Sequence, residues 1–384
     1  MKKIEVLVVI GTRPELIKMA PVIHAIKKST QFNVRLCLTG QHKEMLDQVI
    51  QDFDIEVDFN LSVMSHDQSL SDVTSKILIG ISALLKEHSF KLVIVHGDTT
   101  TAMAASLASF YCGVKICHVE AGLRTQDIFR PFPEEFNRKL IALYAGINFS
   151  PTKSAFENLI KEGVDKRKIF ITGNTVIDSL FYILNKIVSN PALLREVQDS
   201  LVQLLSFDIT HSKYVLITAH RRENFGEGFI SIFEAIRELA KRFPSAYFVY
   251  PVHLNPNIRN IVFKMLGAID NVKLIEPQSY LHFSFLLKNC YFVLTDSGGI
   301  QEEAPGLGKP VLVMRSETER PEAIIAGTVK LVSSDKSQIV ESASNLFQND
   351  SLYKKMSMSV NPYGDGTASI QICKILENIY AQKR

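Results

Sequence analysis

Short runs of β-branched and other apolar residues alternate along this chain with longer windows in which apolar positions recur at helical spacing. In the first half the runs are residues 4–10, 33–38, 92–95, 114–119, 147–150 and 169–172. A second series begins at 214–218 and continues with 247–252, 272–275, 291–295, 311–314 and 329–332. These runs are near-continuously apolar rather than alternating, as expected of parallel strands buried on both faces. The windows 15–28, 102–110 and 229–242 carry apolar residues at the spacing of one helical face. Strand–helix alternation of this kind predicts two doubly wound α/β sheets with helices on both faces.

Between the two series, residues 175–212 read as a helical, charged stretch broken at Asn190-Pro191. The expected division is therefore an N-terminal Rossmann-like domain over 1–180 and a C-terminal one over 181–365. A turn-rich segment, Asn361-Pro362-Tyr363-Gly364-Asp365-Gly366, precedes a final helix over 368–382. That segment, 366–384, is expected to pack back across the domains. No internal repeat is visible, so the halves share architecture alone.

Composition narrows the class. At 384 residues the chain is too long for one ordinary α/β domain, and 46% hydrophobic with 22% charged residues suits a soluble globular enzyme. The net charge is only +3, from 43 basic and 40 acidic residues, without a basic block, which argues against a nucleic-acid partner. Cys37, Cys112, Cys117, Cys290 and Cys373 form no CxxC pair and read as small buried hydrophobes in a reduced compartment. The start, Met1-Lys2-Lys3 before an apolar run, is interrupted by Glu5 and then by Arg13-Pro14-Glu15, unlike a signal peptide. No apolar stretch approaches the ~20 residues that span a bilayer, so no membrane association is expected and the protein is read as cytoplasmic.

In open α/β sheets ligands bind beyond the carboxyl ends of the strands, and polar residues gather there repeatedly. The first strand runs into Gly11-Thr12-Arg13-Pro14-Glu15, the second into Thr39-Gly40-Gln41-His42. Further on come His96-Gly97-Asp98-Thr99, Glu120-Ala121-Gly122, Ala219-His220-Arg221-Arg222 and Asp296-Ser297-Gly298-Gly299. Two such edges facing one another would form a deep interdomain cleft.

Ser297-Gly298-Gly299 before a helix reads either as a diphosphate cradle, with Glu303 on ribose hydroxyls, or as an ordinary strand-to-helix turn. No GxGxxG follows the first strand, which weakens a nicotinamide or flavin reading. Arg13 and Lys18 could instead meet phosphates. Asp98, Glu120 and Glu134-Glu135 supply carboxylates that a partly dry site could tune for general acid–base work. The plain alternative for each is a salt bridge or a helix cap, and Asp98 before three threonines makes a respectable N-cap. His220, followed by Arg221-Arg222, could serve a departing diphosphate, while His96, His118 and His253 also end strands. Metal-ligand spacing is lacking, so no metal is expected.

Taken together these segments resemble the non-hydrolysing bacterial UDP-N-acetylglucosamine 2-epimerases over essentially the whole chain. The resemblance is carried by residues 11–21 (GTRPELIKMAP), 39–42 (TGQH), 97–101 (GDTTT), 118–125 (HVEAGLRT), 133–138 (PEEFNR) and 172–179 (TGNTVIDS). It continues through 218–224 (TAHRREN), 251–256 (PVHLNP), 295–305 (TDSGGIQEEAP), 319–323 (ERPEA) and 361–366 (NPYGDG).

The resemblance implies a fold of the glycosyltransferase-B type, two Rossmann-like doubly wound domains with an interdomain active-site cleft, and a homodimer. It also implies reversible conversion of UDP-GlcNAc to UDP-ManNAc by anti elimination of UDP and re-addition to 2-acetamidoglucal, without a cofactor. The family's key carboxylates fall on Asp98, Glu120 and Glu134 and its histidine on His220. Its UDP-sugar contacts fall on Arg13, Lys18, Arg138, Ser297, Gly298, Gly299, Glu303 and Arg320. Gln41 and His253 match residues implicated in a second, activating UDP-GlcNAc site of some members. Asp67 stands where certain activated members carry an arginine, so allostery stays open. Three rivals remain: a hydrolysing epimerase, a glycosyltransferase of the same fold, and a silent nucleotide-sugar binder.

Overall fold

The computed structural model describes residues 3–40, 43–63, 68–318 and 320–382. The chain divides into two compact units, Met1–Tyr182 with Tyr363–Arg384, and Ile183–Pro362.

The first unit is built on β1 (Ile4–Ile10), β2 (Phe32–Leu38), β3 (Phe59–Asn60), β4 (Leu92–His96), β5 (Lys115–Val119), β6 (Ile147–Ser150) and β7 (Ile169–Ile171). Their order is β3-β2-β1-β4-β5-β6-β7, every neighbouring pair parallel. The central strands β1 and β4 pair Val6 with Leu92 and Val8 with Ile94. One face of the sheet, through Leu7, Val9, Val93 and Val95, packs on Ile77 and Ile81 of helix Leu70–Glu87 and on alanines of helix Thr100–Tyr111. The last helix, Ala368–Ala381, packs within this unit on helix Arg13–Lys28: Cys373 Sγ donates to the Ala25 carbonyl and Ser29 Oγ to Glu377.

The second unit contains β8 (Tyr214–Thr218), β9 (Tyr247–Pro251), β10 (Val272–Ile275), β11 (Phe292–Thr295), β12 (Val311–Val313) and β13 (Val329–Leu331). These form a parallel sheet in the order β10-β9-β8-β11-β12-β13. Its core joins Phe248, Tyr250, Phe292 and Leu294 to Phe229, Phe233 and Ile236 of helix Glu227–Arg242. Both sheets thus repeat one winding, which makes the fold that of two Rossmann-like doubly wound domains, the glycosyltransferase-B class. The strand order reverses between β1 and β4 and again between β8 and β11, and ligands of such sheets bind at that reversal.

The sequence explains where elements begin. Thr12 caps helix Arg13–Lys28 in a capping box closed by Glu15, with proline in the first turn. Asn190 caps helix Pro191–Leu205 through the backbone amides of Ala192 and Leu193, so Asn190-Pro191 separates two helices rather than bending one. Only β3 has no counterpart among the expected strands. It is a two-residue edge strand beside Cys37 and Leu38, too short for any periodicity to register. Among the described residues no helix is long and apolar enough to cross a membrane.

Candidate functional site

At the reversal of the first sheet, the turn after β1 and the turn after β4 are tied together by one buried carboxylate. Glu15, 3% exposed, accepts the Gly11 N–H (3.0 Å), the Thr12 N–H (2.7 Å) and the Thr12 hydroxyl (2.9 Å) on one oxygen. Its other oxygen accepts the Thr99 hydroxyl at 2.7 Å. Burial pushes the Glu15 carboxyl up to about 7 despite these hydrogen bonds. Gly11 is required there sterically, because a Cβ would lie 2.1 Å from Thr101 Oγ1.

The N-cap of helix Thr100–Tyr111 is Thr99, whose hydroxyl accepts the Ala102 N–H. The capping alternative raised for Asp98 is therefore corrected: the shorter, next residue takes the cap. Asp98 faces Arg138 instead, accepting its Nε at 2.8 Å and lying 2.6 Å from its Nη2 on the same oxygen. The same guanidinium reaches Glu135 Oε2 at 3.1 Å, and Glu135 is wholly buried. Asn137 adds a hydrogen bond to the Asp98 carbonyl at 2.8 Å. Glu134, at the start of helix Glu134–Tyr144, keeps one buried oxygen with no hydrogen-bond partner among the described residues.

Glu120 follows β5 in the left-handed region at φ 64°, a conformation that costs a residue with a side chain roughly 1–3 kcal/mol and clusters at functional sites. Its Oε2 meets Lys18 Nζ at 2.5 Å and accepts Asn174 Nδ2 at 2.9 Å. The preceding loop lies beneath it: a Cβ on Gly97 would sit 3.8 Å from Glu120 Oε1. His96 lies 3.8 Å from Glu120 Oε2, and neither ring nitrogen has a hydrogen bond among the described residues. Burial pushes His96 down to about 4, against the opposing pull of Glu120. His118, whose Nε2–H donates to the Gly97 carbonyl at 2.7 Å, is likewise lowered to about 4 by burial.

These buried groups predict how stability follows pH. An imidazole kept neutral in the fold contributes stability that is present above its unfolded value near 6.5 and lost as pH falls toward the folded value. His96 and His118 both lose theirs between about 6.5 and 4. Glu15 acts in the opposite sense, since its raised carboxyl favours the fold below about 4.5 and loses that contribution as pH rises through about 7. Two histidines outweigh one carboxyl, so acidification from pH 6.5 to 4 is expected to lower unfolding stability by on the order of 3 kcal/mol. Urea midpoints across that range check it; a midpoint that rises on acidification contradicts it.

The second sheet has a matching edge. Asp296 is fully buried after β11 and accepts the backbone N–H of His220 and of Arg221, both at 2.8 Å. His220 Nδ1 lies 3.5 Å from the other Asp296 oxygen, and the ring stacks on His253 at 5.6 Å between centroids. Burial lowers the His220 pKa, Asp296 opposes that shift, and His253 and Arg221 reinforce it. The imidazole is therefore neutral at pH 7.

The Ser297-Gly298-Gly299 turn leads into helix Ile300–Gly306, where Gly299 is the cap residue. A Cβ on Gly299 would meet nothing within 4 Å, so nothing among the described residues excludes a side chain there. Glu303 accepts the Tyr280 hydroxyl at 2.8 Å. Arg320 donates through Nε to Glu302, which is 1% exposed.

Lys18 and Glu120 thus come together, as do Asp98 and Arg138, while His220 and His253 share a second edge. Arg13 is half-buried at the first position of its helix. Gln41 and Asp67 lie outside the described residues. Glu15, Asn174, Glu135 and Asp296 stand inside the quoted motifs, but no sequence pattern separates these supporting groups from their neighbours.

The same geometry has relatives. A family model described as UDP-N-acetylglucosamine 2-epimerase matches residues 24–377. The chain belongs to the UDP-N-acetylglucosamine 2-epimerase family. It is 50% identical to the UDP-N-acetylglucosamine 2-epimerase of Campylobacter jejuni over 372 residues, covering 97% of each chain. It is 49% identical to that of Escherichia coli K12 over 374 residues, covering 97% of this chain and 98% of the other. Among solved structures, the Neisseria meningitidis UDP-GlcNAc 2-epimerase bound to UDP-GlcNAc superposes with a TM-score of 0.89 at 46% identity, over 98% of this chain and 100% of that one. The Methanocaldococcus jannaschii UDP-GlcNAc 2-epimerase, in complex with UDP-GlcNAc and UDP, gives 0.81 at 30% identity, over 98% and 100%. At the most similar of these levels, the family's fold extends through both units.

Proposed function

We propose that this chain interconverts UDP-N-acetylglucosamine and UDP-N-acetylmannosamine by inverting C-2, without hydrolysing the nucleotide sugar. One observation carries the reading: a chain matched to the family over residues 24–377 keeps two carboxylates, Asp98 and Glu120, each gripped by a cation at the strand-order reversal of its first sheet.

The C-2 hydrogen of a nucleotide sugar is barely acidic, so its removal must be coupled to loss of a good leaving group. A carboxylate on one face takes the C-2 proton while the bond between C-1 and the diphosphate oxygen breaks. The electron pair becomes the C-1=C-2 double bond of 2-acetamidoglucal, and UDP departs on the opposite face. Return of the diphosphate oxygen to C-1, with a proton delivered to the other face of C-2, completes the inversion. Elimination and re-addition balance without oxidation or reduction, so the chemistry calls for no redox cofactor.

Asp98 and Glu120 exchange the two protons in this scheme, one per face, and Glu134 supports the sugar. His220, held beside Asp296, assists the departing diphosphate. Arg13, Lys18, Arg138 and Arg320 supply positive charge, and the backbone of Ser297, Gly298 and Gly299 supplies amides, where negative charge grows on UDP. Glu303 takes ribose hydroxyls. His253 stays open as part of a second, activating site. The reading further makes the protein a cytoplasmic homodimer that feeds surface polysaccharide synthesis.

Incubation of the purified protein with UDP-GlcNAc, without acceptor or added cofactor, tests it. UDP-ManNAc accumulating to an equilibrium mixture is expected. Free N-acetylmannosamine would place the chain with hydrolysing epimerases, and unchanged substrate would favour a transferase or a binder.

A further inference from the structure

Asn174 begins helix Thr175–Ser189 and is 3% exposed. Its Oδ1 accepts the Val176 N–H at 3.1 Å, which is ordinary work at a helix start. Serine, threonine or aspartate would do that equally well. The other end of the amide is different: Nδ2 donates to Glu120 Oε2 at 2.9 Å. Aspartate has no donor, and a hydroxyl must serve both contacts through one short-armed atom, whereas the amide gives the helix and the carboxylate separate atoms.

The residue is fixed by a part of the chain almost two hundred positions away. The Asn174 N–H donates to the Tyr363 carbonyl at 2.7 Å, and Tyr363 is 1% exposed. One turn along, Asp178 accepts the Ser369 N–H (2.7 Å), the Ser369 hydroxyl (2.6 Å) and the Ala368 N–H (3.2 Å), capping the final helix. The two segments also meet closely at Gly173, where a Cβ would lie 3.1 Å from the Tyr363 carbonyl oxygen. The stretch 172–178 is therefore clamped by residues 363–369, and Asn174 is the point at which that clamp touches Glu120.

We infer that Asn174 is a positioning residue for the Glu120 carboxylate, held in register by the returning C-terminal segment. Asn174 and Lys18 both meet Oε2 of Glu120, and together the two contacts fix the direction of the carboxylate. The inference rests on the reading of Glu120 as a proton-exchanging group at C-2.

Asn174→Asp, Asn174→Ser and Glu120→Gln, compared with the unmodified protein, separate the possibilities. Asn174→Asp and Asn174→Ser both keep an acceptor for the helix start, so both are expected to fold and to bind UDP within about threefold. Each should lose about 10- to 100-fold in kcat with KM little changed, as when a hydrogen bond to a charged group is removed. Asn174→Asp should in addition move the kcat–pH profile upward by about one unit, because a second carboxylate disfavours ionisation of Glu120. A cap-only role would leave the profile in place.

Wild-type kcat and an unmoved profile in Asn174→Asp, beside an inactive Glu120→Gln, would overturn the inference while sparing the reading of Glu120. Full turnover in Glu120→Gln would overturn both. Failure of both Asn174 variants to fold would make the residue structural and so overturn the inference as well.

Discussion

Glu120→Gln is expected to lower kcat by about three orders of magnitude while changing UDP affinity by less than about threefold. The amide is nearly isosteric and can still accept a hydrogen bond from Asn174, so the left-handed backbone at φ 64° and its surroundings have little reason to shift. What disappears is the capacity to take or return a proton, together with the counter-charge of Lys18, 2.5 Å away. Lys18, a proposed UDP contact that meets Glu120, keeps its positive charge, so binding should largely survive. Parallel measurements of kcat, thermal midpoint and UDP titration decide the matter. If folding and binding fail together with turnover, Glu120 is structural and the proton-exchange role is wrong.

Arg138→Met is expected to cost about 3–5 kcal/mol of stability, because it strips a buried carboxylate of its cation. Arg138 bridges Asp98 and Glu135, and Glu135 has no exposure at all. Asp98 retains partial access to water, with a side-chain exposure of 26%, so the larger penalty falls on Glu135. Glu135 would keep the Thr125 N–H at 3.2 Å, which is far from replacing a guanidinium. Adding Glu135→Met removes the orphaned charge and should restore much of the lost stability. Activity should stay low in the double variant, since Asp98 would still lack the group that orients it. Urea midpoints and kcat on the three proteins test this; a single variant as stable as the parent would show that water reaches Glu135 freely.

What the sequence made legible follows from what periodicity can carry. Buried parallel strands such as β1, β4, β8 and β11 are continuous apolar runs, and just past them the chain turns abruptly polar at Thr12, Asp98, His220 and Asp296. The family motifs then marked Asp98, Glu120, Glu134 and His220 for attention. Partnership was not legible, because it depends on which loops the sheet order brings side by side. That β1 and β4 are neighbours is a fact of topology, and only it lets Glu15 reach Thr99 across 84 positions. The same holds for Lys18 with Glu120 and for Asn174 with Tyr363. Competition between adjacent residues was equally hidden. Asp98 and Thr99 are both good caps, and the structure gives the cap to Thr99 because Arg138 claims Asp98.

The account stands or falls on proton exchange at C-2, and proton NMR of UDP-GlcNAc turned over in deuterated water reads it directly. Deuterium should enter C-2 of UDP-ManNAc as it forms, and of recovered UDP-GlcNAc as the reaction reverses, with exchange slowed in Glu120→Gln as much as turnover is. UDP-ManNAc that forms with its original C-2 hydrogen retained would contradict elimination and re-addition with solvent exchange, and with it the roles given to Asp98 and Glu120.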